Sequence, residues 1–285
     1  MTSGERPGLG ILAGGGALPG RVAAAAQAAG RPVFIVALEG FAEARVIGAY
    51  PHATARIGAA GRILELLRAQ NCKEVVLVGA VRRPGFFDMR PDAVGAALLA
   101  RVGKGVFFGG DDGLLRAVVR VLGEEGFTVI GAHEILAEAV GPRGLLTRAA
   151  PDALAMTDIE RGGRVARTLG GLDVGQGCVV QAGLVLAVEA IEGTDAMLAR
   201  AGALRREGPG GVLVKTVKPG QDRRADLPTI GPATVAGAVA AGLRGIAFEA
   251  GGTLLAEREA TIAVADAAGL FLLGFDPEAA KADGG

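Results

Sequence analysis

The chain reads as an α/β protein, with a doubly wound parallel sheet in its first half and a second α/β domain after it. Three observations predict this. Short apolar runs alternate with helix-period segments from residue 9 to residue 130, the pattern of successive βαβ units. Half of the residues are hydrophobic, yet aromatics are 4% and tryptophan is absent, so Ala, Val, Leu and Gly must build closely packed layers. The 285 residues are enough for two domains of ordinary size. The pattern changes from Gly131, and Gly141-Pro142-Arg143-Gly144 reads as a connection. The expected domains are therefore 1–135 and 136–285.

Leu9–Leu12 is the first strand. Ala13-Gly14-Gly15-Gly16-Ala17-Leu18-Pro19 and an alanine-rich helix, Gly20–Ala29, follow it, with Pro19 suited to the first turn. Strand, glycine turn and helix can present free N–H groups to an anion. Gly14, Gly15 and Gly16 are thus candidate phosphate contacts; the plainer reading is a tight turn that needs small residues. A dinucleotide fingerprint counted from Gly14 needs Gly at position 19, where Pro stands, and no Walker lysine follows.

Val33–Leu38 is the next strand, and Gly61–Gln70 is a helix with Ile63, Leu64, Leu66 and Leu67 on its apolar face. Val75–Val78 is the third strand. It places Arg82 and Arg83 at the carboxyl edge of a parallel sheet, where ligands bind; they are candidate phosphate partners or ordinary solvated arginines. Gly85-Phe86-Phe87 and Gly105–Gly109 hold four phenylalanines between glycines. They either plug the space between sheet and helix or form an apolar lip for a lipid-like ligand. Asp111 and Asp112 open a helix, Leu114–Glu124. One is expected to cap it, leaving the other for a ligand or metal. Phe127–Ile130 is the last strand of this half.

In the second half Asp152–Leu169 is a long helix, and Val179–Val188 reads as one strand with a glycine bulge. Glu189, Glu192 and Asp195 then place three carboxylates at a strand-to-helix turn, where Thr194 or Asp195 is the expected cap. After a helix through Ala203 comes Lys215–Gly231, KTVKPGQDRRADLPTIG, which begins as an alternating strand (Val212, Val214, Val217). It breaks at Pro219-Gly220 and again at Leu227-Pro228. A helix (Pro232–Ala241), a strand (Gly245–Phe248), Leu254-Leu255, a helix (Glu257–Ala267) and a strand (Leu270–Gly274) complete the domain.

The inventory excludes much chemistry. Ser3 is the only serine, so a serine nucleophile on an elbow is ruled against. His52 and His133 lack metal-ligand spacing, and Cys72 and Cys178 stand alone, as buried thiols of a reducing compartment do. The 30 basic and 30 acidic residues cancel, so no global field attracts nucleic acid. No apolar run spans a membrane, and the N-terminus lacks a signal-peptide core, so a cytoplasmic location is expected. Carboxylates, lysines and arginines remain, and they converge on the proline-bracketed loop. Lys215 and Lys218 are phosphate-holding groups, and Asp222 and Asp226 are the kind that hold Mg²⁺. The plainer reading is a solvated loop with local ion pairs.

The set GILAGGGALPG (10–20), GAVRRPG (79–85), GDDGLLR (110–116), EGTDAML (192–198), KTVKPGQDRRADLPTIGPATV (215–235) and FEAGGTLLAE (248–257) closely resembles the LpxI family over nearly the whole chain. The members of that family are UDP-2,3-diacylglucosamine pyrophosphatases of lipid A biosynthesis. The resemblance implies a Rossmann-like N-terminal domain joined to a family-specific α/β C-terminal domain. It implies hydrolysis to UMP and 2,3-diacylglucosamine 1-phosphate (lipid X) with Mg²⁺ or Mn²⁺, at the cytoplasmic face of the inner membrane, by a homodimer. Asp222 and Asp226 would hold the metal or orient water, and Lys215, Lys218 and Arg83 would neutralise the pyrophosphate. Gly14, Gly15, Gly16, Arg82, Asp111, Asp112, Thr194, Asp195 and Gln221 would contact the substrate. Two other classes stay open: a non-catalytic nucleotide- or lipid-binding protein, and an NAD(P)-dependent oxidoreductase, which Pro19 disfavours.

Overall fold

A computed structural model of the protein describes residues 7–82, 89–103 and 111–278. Within them the chain forms two compact units. The first runs through Ala137 and adds Asp222–Asp226; the second begins at Glu138 and omits that segment. The sequence reading divides the chain contiguously, whereas Asp222–Asp226 is grouped here with the first compact unit.

In the first unit β1 (Gly8–Ala13), β2 (Val33–Leu38), β3 (His52–Ala55), β4 (Cys72–Val78) and β5 (Thr128–Val129) form one sheet, order β3-β2-β1-β4-β5, parallel throughout. β1 and β2 are buried along their whole length, as the continuous apolar runs of a two-sided sheet require. The helices are α1 (Leu18–Ala28), α2 (Ala44–Ile47), α3 (Ala60–Ala69), α4 (Ala93–Val102), α5 (Asp111–Glu124) and α6 (Ala132–Ile135). Ile63, Leu64, Leu66 and Leu67 of α3 are buried against Phe34, Val36, Val75 and Phe127. Asp92 caps α4 through Gly95 N–H at 2.7 Å and also accepts from Gly61 and Arg62 at the start of α3, tying two helix starts together.

The second unit holds α7 (Ala153–Gly171), α8 (Gly193–Ala203), α9 (Pro232–Ala240) and α10 (Arg258–Ala267) around a six-stranded sheet. Its strands are β6 (Gly144–Leu145), β7 (Gly177–Gln181), β8 (Leu184–Val188), β9 (Val212–Lys215), β11 (Gly245–Glu249) and β13 (Phe271–Phe275), in the order β6-β13-β11-β9-β7-β8. β9, β11 and β13 are parallel, and β6, β7 and β8 each pair antiparallel. β10 (Thr229–Ile230) and β12 (Leu254–Leu255) form a separate parallel pair.

Strand alternation sorts side chains between the two faces. Val212, Val214 and Ala247 pack with Ala155 and Ile159 of α7. Leu213, Ile246 and Phe248 pack with Met197 and Leu198 of α8 and Val235 of α9. Lys215, two residues after Leu213, falls on the α8 face.

The stretch expected as one bulged strand is a hairpin, β7 and β8, with Ala182 (φ 49°) and Gly183 (φ 77°) as its turn. Positive φ at both central residues is the hairpin turn matched to strand twist. The fully buried Asp158 of α7 accepts from both turn amides, at 3.0 and 2.7 Å. Cys72 and Cys178 are free and buried, and burial pushes their thiols up to about 11 and about 12. They are inert packing groups.

Candidate functional site

In the first unit β1 and β4 lie side by side while their neighbours β2 and β5 extend the sheet in opposite directions. That is the switch point at whose carboxyl edge ligands bind. Two glycines let the backbones after these strands touch. A Cβ on Gly14 would stand 2.7 Å from the carbonyls of Gly79 and Ala80, and Gly79 itself adopts φ +99°. The contact uses the amides that the sequence offered to an anion. Gly14 N–H donates to Val78 O at 2.9 Å and Gly15 N–H to Ala80 O at 2.8 Å. Gly16 N–H donates to Glu43 Oε1 at 3.0 Å. The glycine turn has therefore taken a carboxylate from its own chain. Arg45, bonded to Glu43 at 2.8 Å, and the Gly16 amide together hold that carboxyl below its usual range.

Arg82 is exposed just after β4, whereas Arg83 and the phenylalanines of 85–87 and 105–109 lie outside the described residues. Asp111 and Asp112 open α5, and the buried Asp112 is paired with Arg116, one turn on, at 2.8 Å. Asp222–Asp226 is one tight turn: Ala225 and Asp226 N–H both donate to Asp222 O, at 2.9 and 3.3 Å. Asp222 holds Arg224 through two bonds, Nε to Oδ1 at 2.9 Å and Nη2 to Oδ2 at 2.7 Å, and Arg224 keeps its carboxyl below the usual carboxylate range. Ala225 packs against the first unit's core.

In the second unit the carboxyl edge of the sheet gathers polar groups from four elements. Lys215 ends β9, Glu249 ends β11, Glu189 follows β8, and Thr194 sits in the first turn of α8. Lys215 Nζ donates to Thr194 Oγ1 at 2.6 Å, and Thr194 donates on to Glu189 Oε1 at 2.5 Å. Thr194 is thus engaged on both sides and does not cap α8. No side chain does, and Asp195 is exposed. Glu249 accepts from Val217 N–H at 3.0 Å. Lys218 Nζ donates to Asp173 at 2.6 Å, and Gln221 Oε1 accepts the Lys218 amide at 3.1 Å. No local spacing gave Asp173, Glu249 or Glu43 a role, because the contacts to Lys218, Val217 and Gly16 span 27 to 45 residues.

Among the described residues no three His, Cys, Asp or Glu side chains converge as a metal-holding group. Mg²⁺ needs less: one or two carboxylates, with waters and substrate phosphate oxygens completing its shell. Asp222 and Asp226, carried on one turn, are a donor set of that kind. No helix among the described residues is long and apolar enough to cross a membrane.

The fold and these groups define a two-unit α/β protein with a Rossmann-type first sheet and a buried lysine centre at the carboxyl edge of its second. The chain belongs to the LpxI family: the LpxI N-terminal domain matches residues 8–139 and the LpxI C-terminal domain residues 142–273. It is 48% identical, over 276 residues, to the UDP-2,3-diacylglucosamine pyrophosphatase LpxI of Caulobacter vibrioides, a match that covers 95% of this chain and 98% of that protein.

Proposed function

We propose that this protein hydrolyses the pyrophosphate bond of UDP-2,3-diacylglucosamine, releasing UMP and 2,3-diacylglucosamine 1-phosphate. The observation that carries the reading is the near-full-length identity to a pyrophosphatase of that name. The residue types agree with it. Phosphoryl transfer asks a protein chiefly to position its substrate and to neutralise developing charge, and Lys215 and Lys218 are the cations assigned to that task. Asp222 and Asp226 would hold Mg²⁺ or Mn²⁺, which would supply charge neutralisation at the phosphates when bound. Arg82, Asp195 and Gln221 remain candidate contacts to the nucleotide and sugar. The half-exposed Leu184 on edge strand β8 supports a dimer through the second unit. Peripheral contact with the cytoplasmic face of a membrane belongs to the same reading, because the substrate is diacylated.

Phosphorus NMR of the protein with UDP-2,3-diacylglucosamine tests the reading. With Mg²⁺, the pyrophosphate signals should give way to two monoester signals, and excess EDTA should stop the change. Asp226→Ala should bind substrate and fail to turn it over. Tight binding by the unaltered protein with an unchanged spectrum would instead establish the non-catalytic binding reading.

A further inference from the structure

At the carboxyl edge of the second sheet lies a buried chain of three side chains, of which the proposed chemistry uses one end. Lys215 Nζ, Thr194 Oγ1 and Glu189 Oε1 are linked at 2.6 and 2.5 Å, and the ammonium lies 3.9 Å from that same carboxylate oxygen. Lys215 is 4% exposed and Glu189 6%. Among the described residues Glu189 is the carboxylate within ion-pair reach of Lys215. Its second oxygen, Oε2, is buried without a hydrogen-bond partner. Gly177 makes the room for it, since a Cβ there would stand 2.9 Å from Oε2.

A stabilising role explains this poorly. A buried ion pair is often no more stable than apolar residues of the same volume, and an orphaned carboxylate oxygen is a standing cost. A metal-binding role lacks the further ligands among the described residues. What the geometry does achieve is to fix a long, flexible lysine, which otherwise keeps several rotamers, in one direction at the edge where ligands bind. We propose that Glu189 is a positioning residue for the hydrolysis. Through Thr194 it holds the Lys215 ammonium in place, with its remaining donors left for the pyrophosphate. Thr194 then serves as the link between the two rather than as a substrate contact. The inference rests on the role of Lys215 proposed for the hydrolysis.

Steady-state kinetics on UDP-2,3-diacylglucosamine, with thermal melts in parallel, decide it. Glu189→Gln and Thr194→Val should each lower kcat about 10- to 100-fold, the usual effect of losing a supporting partner, with KM little changed. Thr194→Ser, which keeps the hydroxyl, should restore kcat. Gly177→Ala, which displaces the carboxylate without removing it, should lower kcat in the same direction. On a Lys215→Met background Glu189→Gln should add almost nothing, the non-additivity of groups that act as a unit. Wild-type kcat in Glu189→Gln, or a full loss on top of Lys215→Met, overturns the proposal while leaving Lys215 in its role. Wild-type kcat in Lys215→Met overturns both. Should Glu189→Gln fail to fold, the comparison of Thr194→Val with Thr194→Ser decides: equal kcat in the two overturns the proposal, and loss in the valine variant alone supports it.

Discussion

Asp222 and Lys218 are two loop residues whose charges have named partners in the folded chain. Arg224 holds the Asp222 carboxylate by two bonds and lowers its pKa. The folded state therefore binds that proton less tightly than the unfolded chain does. The pair contributes stability above the ordinary carboxylate pKa, and the contribution is lost as pH falls through the lowered value. Arg224 is half-exposed, so the contribution is small, but the titration is readable. Carbon-detected NMR should place Asp222 below the usual carboxylate range and find it moved back up in Arg224→Gln; an unmoved titration would assign the shift to another cause. Lys218 is held by Asp173 at 2.6 Å. Lys218→Met should cost about 10²- to 10³-fold in kcat, the scale of one lost donor to developing charge. A lowered melting temperature with normal kcat would make Lys218 a structural partner of Asp173 instead.

At the scale of elements, α7 is pressed onto the second sheet and holds it in two ways. Asp158, fully buried, closes the β7–β8 turn through two amides and lies 3.9 Å from Arg244. Asp158→Ala would orphan both amides and leave the Arg244 charge less well answered. The expected loss is about 3 kcal/mol, measured by urea unfolding; a loss near zero would show that water replaces the carboxylate. Gly162 sets the distance between helix and sheet, since a Cβ there would stand 2.5 Å from Val214 Cγ2. Gly162→Ala should cost about 1–3 kcal/mol by overpacking, with little effect on KM. Both effects belong to the element and not to the chemistry, because each residue lies on the α7 face of the sheet, opposite the face that carries Lys215 and Thr194.

At the scale of the whole molecule, the division of the chain is not the division of the sequence. Residues 222–226 belong with the first unit, and Ala225 packs against the core that holds Leu12, Leu67 and Val119. This gives the small neutral residue in an otherwise charged run a physical reason: a carboxylate there would be set against apolar side chains. Ala225→Asp should destabilise the first unit by about 1–3 kcal/mol, read as lost amide-exchange protection in β1 and β4. Undiminished protection would show that this turn is not held by its apolar contact.

The sequence alone determined what short-range periodicity can carry. The alternation of Val212, Val214 and Val217 announced a strand carrying Lys215, which the structure ends at that lysine, and the strand–glycine turn–helix pattern announced the first βα unit. The proline-bracketed loop named its own lysines and carboxylates, and the set of motifs disclosed the family. The tertiary structure decided how groups far apart in the chain are paired. It set Lys215 against Thr194 and Glu189, 21 and 26 residues away in sequence. It filled the Gly14–Gly16 amides with Val78, Ala80 and Glu43, and it turned an expected bulge into a hairpin closed by Asp158. Hydrophobic pattern is a property of neighbours a few residues apart, legible wherever one face is buried. A hydrogen bond between distant side chains depends on where packing brings them, and no local stretch of sequence records that.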